Sequence, residues 1–231
     1  MKRYAVYYAP GPESALHRLG SGLLGRDAWS GDALPTPVFA GIAPERVAAI
    51  TAEPRRYGFH ATLKPPFALA SGCTEAVLVR ALETFAAAVA PFDAPALRLA
   101  EVGRFLALVP SAECGELTAL AECAVRAFEP FRAPLSRAER ARREAASLDA
   151  RERELLAEWG YPYVLDRWRF HLSLTGRLEA FERDAVKAAL APVVAPLGSE
   201  PLRVEALALF VQPASDAAFR CHSRFTLAHG A

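Results

Sequence analysis

The segment Arg56-Tyr57-Gly58-Phe59-His60-Ala61-Thr62-Leu63 returns 111 positions later as Arg167-Trp168-Arg169-Phe170-His171-Leu172-Ser173-Leu174. Both copies read Arg, aromatic, any residue, Phe-His, any residue, hydroxyl, Leu. Each is followed by a helical pattern and then by an apolar run. A repeat spaced by about half the chain predicts an internal duplication into two lobes. Side chains of a strand alternate between its faces, so His60, Thr62 and Lys64 fall on one face and Phe59, Ala61 and Leu63 on the other. The second copy puts Arg169, His171, Ser173 and Thr175 opposite Phe170, Leu172 and Leu174. Each strand therefore has an apolar side for the core and a side bearing imidazole, hydroxyl and cation. A pseudo-two-fold axis between the lobes would turn these polar sides toward each other across a cleft.

Two imidazoles, two hydroxyls and flanking cations suit chemistry at a phosphodiester. In-line displacement at phosphorus needs a base at the entering oxygen and an acid at the leaving oxygen, on opposite sides. His60 and His171 supply that pair, and imidazole titrates near neutrality, so one neutral and one protonated ring coexist at working pH. Thr62 and Ser173, with Lys64 and Arg169, are placed to hold the non-bridging oxygens and offset transition-state charge. A lone histidine on a strand is ordinarily a hydrogen-bonded structural residue, and His17, His222 and His229 are read that way. The repeated context sets His60 and His171 apart. Lys64 as a solvated strand end, and Arg169 paired with Asp166 or Glu179, are the plainer alternatives. Tyr57 and Trp168, on the opposite parity, are expected in core or rim packing.

Outward from the repeat, Arg3 to Ala9 reads as a strand stopped by Pro10-Gly11-Pro12, and Glu13 to Leu24 as a helix ending at Gly25. Residues 30 to 44 read as an ordered loop, with Pro44 opening a short helix through Ile50. Tyr57 to Leu63 is a predicted strand stopped by Pro65-Pro66. Thr74 to Val89 is an amphipathic helix, Ala96 to Val109 a strand pair or bent strand around Gly103, and Glu116 to Phe128 another helix. Ser136 with Glu139, and Asp149 with Glu152, mark two helix starts. Seven arginines between 132 and 158 are interleaved with acids, which predicts a solvated helical pair rather than a nucleic-acid-binding helix. Arg167 to Leu174 is a strand, Glu179 to Leu190 a helix, and Leu202 to Val211 and Phe219 to Leu227 closing strands.

Composition bounds the rest. The chain has 231 residues, 52% of them hydrophobic, enough for one large domain or two small lobes. A net charge of +1 argues against a broad electrostatic grip on long nucleic acid and leaves room for a small phosphorylated ligand in a local basic pocket. Cys73, Cys114, Cys123 and Cys221 form no CxxC or zinc spacing and read as reduced, buried thiols. The apolar stretch after Lys2-Arg3 is too short for a secretory signal, and no run is long enough to span a bilayer. The expectation is a cytoplasmic monomer with no membrane partner. A metallohydrolase lacks support, since neither motif has an acid nearby and no His-x-x-x-His spacing occurs.

Phe59-His60-Ala61-Thr62-Leu63 and Phe170-His171-Leu172-Ser173-Leu174 resemble the paired His-x-Thr/Ser signatures of the two-histidine (2H) phosphoesterase superfamily, which includes RNA ligase-like 2′,3′-cyclic phosphodiesterases. The longer runs through Lys64-Pro65-Pro66-Phe67, Phe105 to Pro110, Trp159 to Val164 and Thr175-Gly176 are similar to the branch encoded with bacterial phosphonate-degradation (carbon–phosphorus lyase) genes. The resemblance covers nearly the whole chain. It implies an α+β fold over residues 1–231: one bilobal domain of two pseudo-symmetric, mostly antiparallel sheets with helices on their outer faces and a central cleft. It implies catalysis without metal or other cofactor, His60 and His171 as acid and base in either order, and Thr62 and Ser173 as phosphate ligands. The insert at about 132–158 departs from the smallest members and is placed to cap the cleft. The expected activity is opening of a cyclic phosphate, on a small phosphorylated substrate or an RNA end. The competing expectation is a non-catalytic nucleotide or phosphosugar-binding protein using the same cleft.

Overall fold

The computed structural model describes residues 1–35, 37–145 and 147–228; His229 lies outside the described residues. In chain order the elements are β1 (Arg3–Tyr8), α1 (Ala15–Leu24), α2 (Pro44–Tyr57), β2 (Ala61–Phe67), α3 (Glu75–Ala87), β3 (Phe92–Ala94), β4 (Leu97–Val102) and β5 (Phe105–Pro110). They continue with α4 (Gly115–Ala127), α5 (Arg137–Glu144), α6 (Ala150–Trp159), β6 (Leu172–Ser173), α7 (Ala180–Val194), β7 (Leu202–Val204), β8 (Ala206–Gln212) and β9 (Arg220–Thr226).

The fold is α+β. A four-stranded sheet runs in the order β2-β1-β8-β9, a three-stranded sheet in the order β4-β5-β6, and β3 pairs with β7 in a short ribbon. Every described pairing is antiparallel. The sheets are thus unequal, four strands against three, and β2 and β6, the strands that begin directly after His60 and His171, are each an edge strand of their own sheet. Among the described residues no helix is long and apolar enough to cross a membrane.

One apolar core joins both sheets. Tyr4, Val6 and Tyr8 of β1 share it with Leu106 and Leu108 of β5, Leu172 of β6 and Leu207 and Leu209 of β8. The opposite face of the four-stranded sheet is covered as well, by a smaller cluster of Ala5, Tyr7, Ala208, Phe210 and Phe219. The central strands β1 and β8 are therefore apolar on both faces, as expected when no side of a strand meets water.

Local chemistry accounts for most element ends. Ser14 and Thr74 cap α1 and α3 with their hydroxyls, and Gly25 closes α1 at φ 71°. Both expected capping boxes form, Ser136 with Glu139 and Asp149 with Glu152. Gly103 turns β4 into β5 at φ 58°.

Three expectations are corrected. The helix opened by Pro44 runs to Tyr57 rather than Ile50, passing through Pro54. The first motif strand begins later, at Ala61, and continues through Pro65 and Pro66 to Phe67. Proline removes a ladder donor, which an edge strand tolerates and a central one does not; the order of the sheet explains why the pair does not stop β2. The second motif strand shortens to Leu172–Ser173, because Leu165–Arg167 forms a 3-10 turn and Leu165 takes φ 51°.

Candidate active site

A cavity of about 470 Å³ lies between the two motif segments. His60 and Thr62 line it from the first copy, His171 and Ser173 from the second. β1 adds Arg3 and Tyr7, the end of α2 adds Glu53 and Tyr57, and Phe105 opens β5 against it. Arg142, Arg143 and Tyr161 come from α5 and the segment after α6, and Thr175, Gly176 and Arg177 follow β6.

The two histidines are held in the same way. His60 Nδ1 lies 2.9 Å from the carbonyl oxygen of Gly58, and His171 Nδ1 lies 2.9 Å from that of Arg169. A carbonyl oxygen only accepts, so each Nδ1 carries the proton and each Nε2 keeps a lone pair. Holding the bond to the residue two positions back repeats the duplicated sequence as duplicated geometry. His60 is fixed further by Tyr7, whose ring stacks on it at 3.7 Å and 22°. Its Nε2 is 3.3 Å from Thr62 Oγ1. Gly58 is required in this arrangement: its φ is +82°, and a Cβ there would lie 2.4 Å from the Ala28 methyl. Phe105 packs against the His171 ring with centroids 5.4 Å apart.

Burial lowers the pKa of His60 to about 4; the Gly58 carbonyl opposes this and a charge on His171 would add to it. Burial also lowers His171, against the Arg169 carbonyl. Both shifts favour the neutral imidazole at neutral pH.

The segments are tied to one another through the backbone. Pro54 has no N–H, so within α2 the carbonyl of Ile50 is left without its helical partner. Gly176, directly after the second motif, donates to that carbonyl at 2.6 Å. In the other direction, Trp168 Nε1 of the second copy donates to the Thr62 carbonyl of the first at 2.7 Å. Phe59 and Phe170, the aromatic partners of the histidines, are both buried in the core.

The structure does not bring Lys64 and Arg169 to this cavity. Thr62 pairs with Tyr7 and Lys64 with Val6, so two steps on β2 match one step on β1. That bulge reverses the face beyond Thr62. Lys64 is consequently fully buried on the core side, donating to the Val125 carbonyl at 3.1 Å and to the Glu129 carboxylate. Arg169 precedes the shortened strand, stands exposed and borders a different depression beside β4 and α4. Thr175 lies at the cavity but is committed to the fold, its hydroxyl accepting from the Leu106 N–H at 3.0 Å. Trp168 packs against the core as expected, while Tyr57 stacks on Phe219 at the cavity rim.

The insert is more than a solvated pair of helices. α6 buries Leu155 against Val125 and Val164. α5 is exposed except for half-buried Glu139 and Arg143; Arg143 donates to the Gly160 carbonyl and lies over the Tyr161 ring at 5.3 Å. Sequence reading missed Arg3, Tyr7, Arg142, Arg143, Tyr161 and Arg177. The available signal was weak: Arg3 and Tyr7 share one face of β1 but belong to no recurring motif, and the arginines of 132–158 looked neutralised by adjacent acids. Among the described residues, no three His, Cys, Asp or Glu side chains group to hold a metal ion. His17 is buried against Ser21 and Asp27, and His222 bonds Ser223, so neither approaches the paired imidazoles.

Fold and site together define an α+β protein in which paired imidazoles, each just ahead of an edge strand of a separate sheet, line one arginine-lined cavity. Residues 62–220 match the family described as protein of unknown function (DUF1045), and the chain belongs to that family. It is also similar to two curated proteins named ribose 1,5-bisphosphate phosphokinase PhnN. With that of Laribacter hongkongensis (strain HLHK9) it is 42% identical over 221 residues, 94% of this chain and 50% of the relative. With that of Janthinobacterium sp. (strain Marseille) it is 37% identical over 213 residues, 90% of this chain and 47% of the relative. The chain spans about half the length of the curated relatives it matches.

Proposed function

We propose that this chain is a metal-independent 2H-type phosphoesterase that opens a cyclic phosphate to a phosphomonoester, with the whole length acting as one bilobal unit capped by the 132–158 insert. The observation that carries the reading is the duplicated imidazole geometry: two histidines with equivalent Nδ1 anchors, each leaving Nε2 as the basic nitrogen, on a single cavity.

In this reading a cyclic phosphate lies between the rings with Thr62 and Ser173 donating to its non-bridging oxygens. His60 is the base. It is the ring more strongly depressed by burial, and a proton on His171 depresses it further, so the site's first proton goes to His171. His60 Nε2 takes a proton from the attacking water as its oxygen bonds to phosphorus. His171 Nε2–H gives a proton to the ester oxygen as the ring P–O bond breaks, and the product is a monoester plus a free hydroxyl. The anion between the rings supplies the negative charge that makes protonated His171 affordable at neutral pH.

The cavity favours a small ligand over an RNA end, because the arginines of α5 cover one side of it. The relatives' names carry a phosphoribose substrate, which supports a phosphoribosyl cyclic phosphate over a nucleoside 2′,3′-cyclic phosphate, and with it a place in phosphonate metabolism. Kinase chemistry is not proposed for this chain: none of its three lysines follows a glycine, so it has no GxxxxGK[ST] loop to hold a nucleoside triphosphate.

The test is turnover of a panel of cyclic phosphates by the parent, His60→Ala and His171→Ala proteins, with and without a chelator. The expected result is a loss on the order of 100-fold or more in each variant, with chelation changing nothing. Full activity in either variant overturns the assignment. Ligand binding by the parent without turnover of any cyclic phosphate supports the phosphosugar-binding alternative instead.

A further inference from the structure

The reaction drawn above needs cations near one phosphate, yet the cavity presents four arginines against the single carboxylate of Glu53. Elsewhere among the described residues ten arginines contact carboxylates, Arg46, Arg132 and Arg151 among them. Among the described residues, Arg3, Arg142, Arg143 and Arg177 have no such ion pair.

Two of these are nonetheless held in place, by neutral groups. Arg3 Nε donates to Gln212 Oε1 at 2.7 Å with its guanidinium over the Phe219 ring at 5.5 Å. Arg143 donates to the Gly160 carbonyl and rests on Tyr161. Arg142 is its neighbour on α5. Arg142 and Arg3 both oppose the charge on Arg143, and the acid that offsets it, Glu139, is engaged by Ser136 in the capping box of α5. Orienting a guanidinium with uncharged partners while leaving its charge uncompensated, beside two like charges, is the arrangement of a prepared anion site.

We propose that Arg3, Arg142 and Arg143 form a second anion subsite, separate from the histidine pair, that takes a phosphomonoester on the same substrate. Its substrate class is a sugar bearing both a cyclic phosphodiester and a second, terminal phosphate. The charges agree: a cyclic diester carries one negative charge and a monoester up to two at neutral pH, which together balance four arginines less one glutamate. A nucleoside 2′,3′-cyclic phosphate with an unsubstituted 5′-hydroxyl leaves this subsite empty.

The inference rests on the cyclic phosphodiesterase reading, and two measurements keep the failures of the two apart. The first compares kcat/KM of the parent on ribose 1,2-cyclic phosphate with and without a 5-phosphate, alongside Arg142→Ala and Arg143→Gln. The parent is expected to prefer the 5-phosphorylated substrate by at least about tenfold, and each variant to bring that ratio toward one, since a charge-assisted hydrogen bond contributes about one decade. Equal turnover of both substrates by the parent, or equal losses on both in the variants, overturns the subsite. The second is calorimetric binding of ribose 5-phosphate, which has no ring ester to open. Binding by the parent and by His60→Ala, weakened in Arg142→Ala, supports the subsite even where no cyclic phosphate is turned over; undiminished binding in Arg142→Ala overturns it. Arg142 is exposed on α5, so its replacement leaves folding intact.

Discussion

His60 shows how much a single residue's surroundings set its chemistry. The ring is stacked on Tyr7, bonded at Nδ1 to Gly58, and held neutral by burial down to a pH of about 4. In the unfolded chain the same imidazole titrates near 6.5. Between these two values the unfolded state binds more protons than the folded state, so stability falls as the pH drops from 6.5 toward 4 and levels off below. His171 acts in the same direction. Urea denaturation midpoints at pH 7 and pH 4.5 are expected to show this loss in the parent and a smaller loss in His60→Gln. An equal pH dependence in the two proteins would show that the ring is not desolvated. Lys64 carries the complementary lesson. Its residue type and spacing pointed to phosphate, yet one bulge in β2 sends it into the core against Glu129.

At the scale of the element, α2 and the segment after β6 depend on each other. Pro54 interrupts the helical ladder, and the Ile50 carbonyl it frees is the anchor for Gly176. A proline in a helix ordinarily counts as a cost of about 3 kcal/mol; here the broken bond is reused to dock the second motif. Pro54→Ala is expected to restore an N–H that competes for the Ile50 carbonyl. The helix should be as stable or more so, while kcat/KM falls by roughly threefold to tenfold as the His171 segment loosens, the equivalent of about 1 kcal/mol. Thermal melts paired with kinetics separate the two effects, and unchanged kinetics would show that the Gly176 bond does not position the site. The helix start signals in the insert were legible because a capping box is a local arrangement of two side chains and one turn of backbone. The strand ends around the motifs were not, since edge position and bulges depend on which strand lies alongside.

For the molecule as a whole, the question is what keeps two edge strands of separate sheets facing one cavity. The shared core does most of it, and the Trp168 indole adds a direct tie from the second motif to the Thr62 carbonyl of the first. Trp168→Phe keeps the apolar packing and removes that hydrogen bond. It is expected to cost about 1 kcal/mol of stability and to lower kcat/KM a few-fold through the position of Thr62. A melt and a kinetic assay that both match the parent would assign the coupling to the core alone. The insert completes the assembly by bringing Arg142 and Arg143 over the cavity. Its charges look cancelled along the sequence, but acids within it are engaged by Ser136, Arg140, Arg151 and Arg167, while Arg142 and Arg143 line the cavity without an ion pair.

The amino-acid sequence by itself determined the repeated motif, most helix starts and the choice of His60, Thr62, His171 and Ser173 as candidates, because each is written in local periodicity or in a motif that occurs twice; the α+β class, which the family resemblance implied, is the class observed. Tertiary structure alone decided which cations reach the cavity. That outcome depends on a bulge that flips Lys64, a 3-10 turn that cuts short the strand near Arg169, and the docking of α5 that brings in Arg142 and Arg143. Each is a matter of what packs alongside, and strand parity holds only as long as the pairing stays in register.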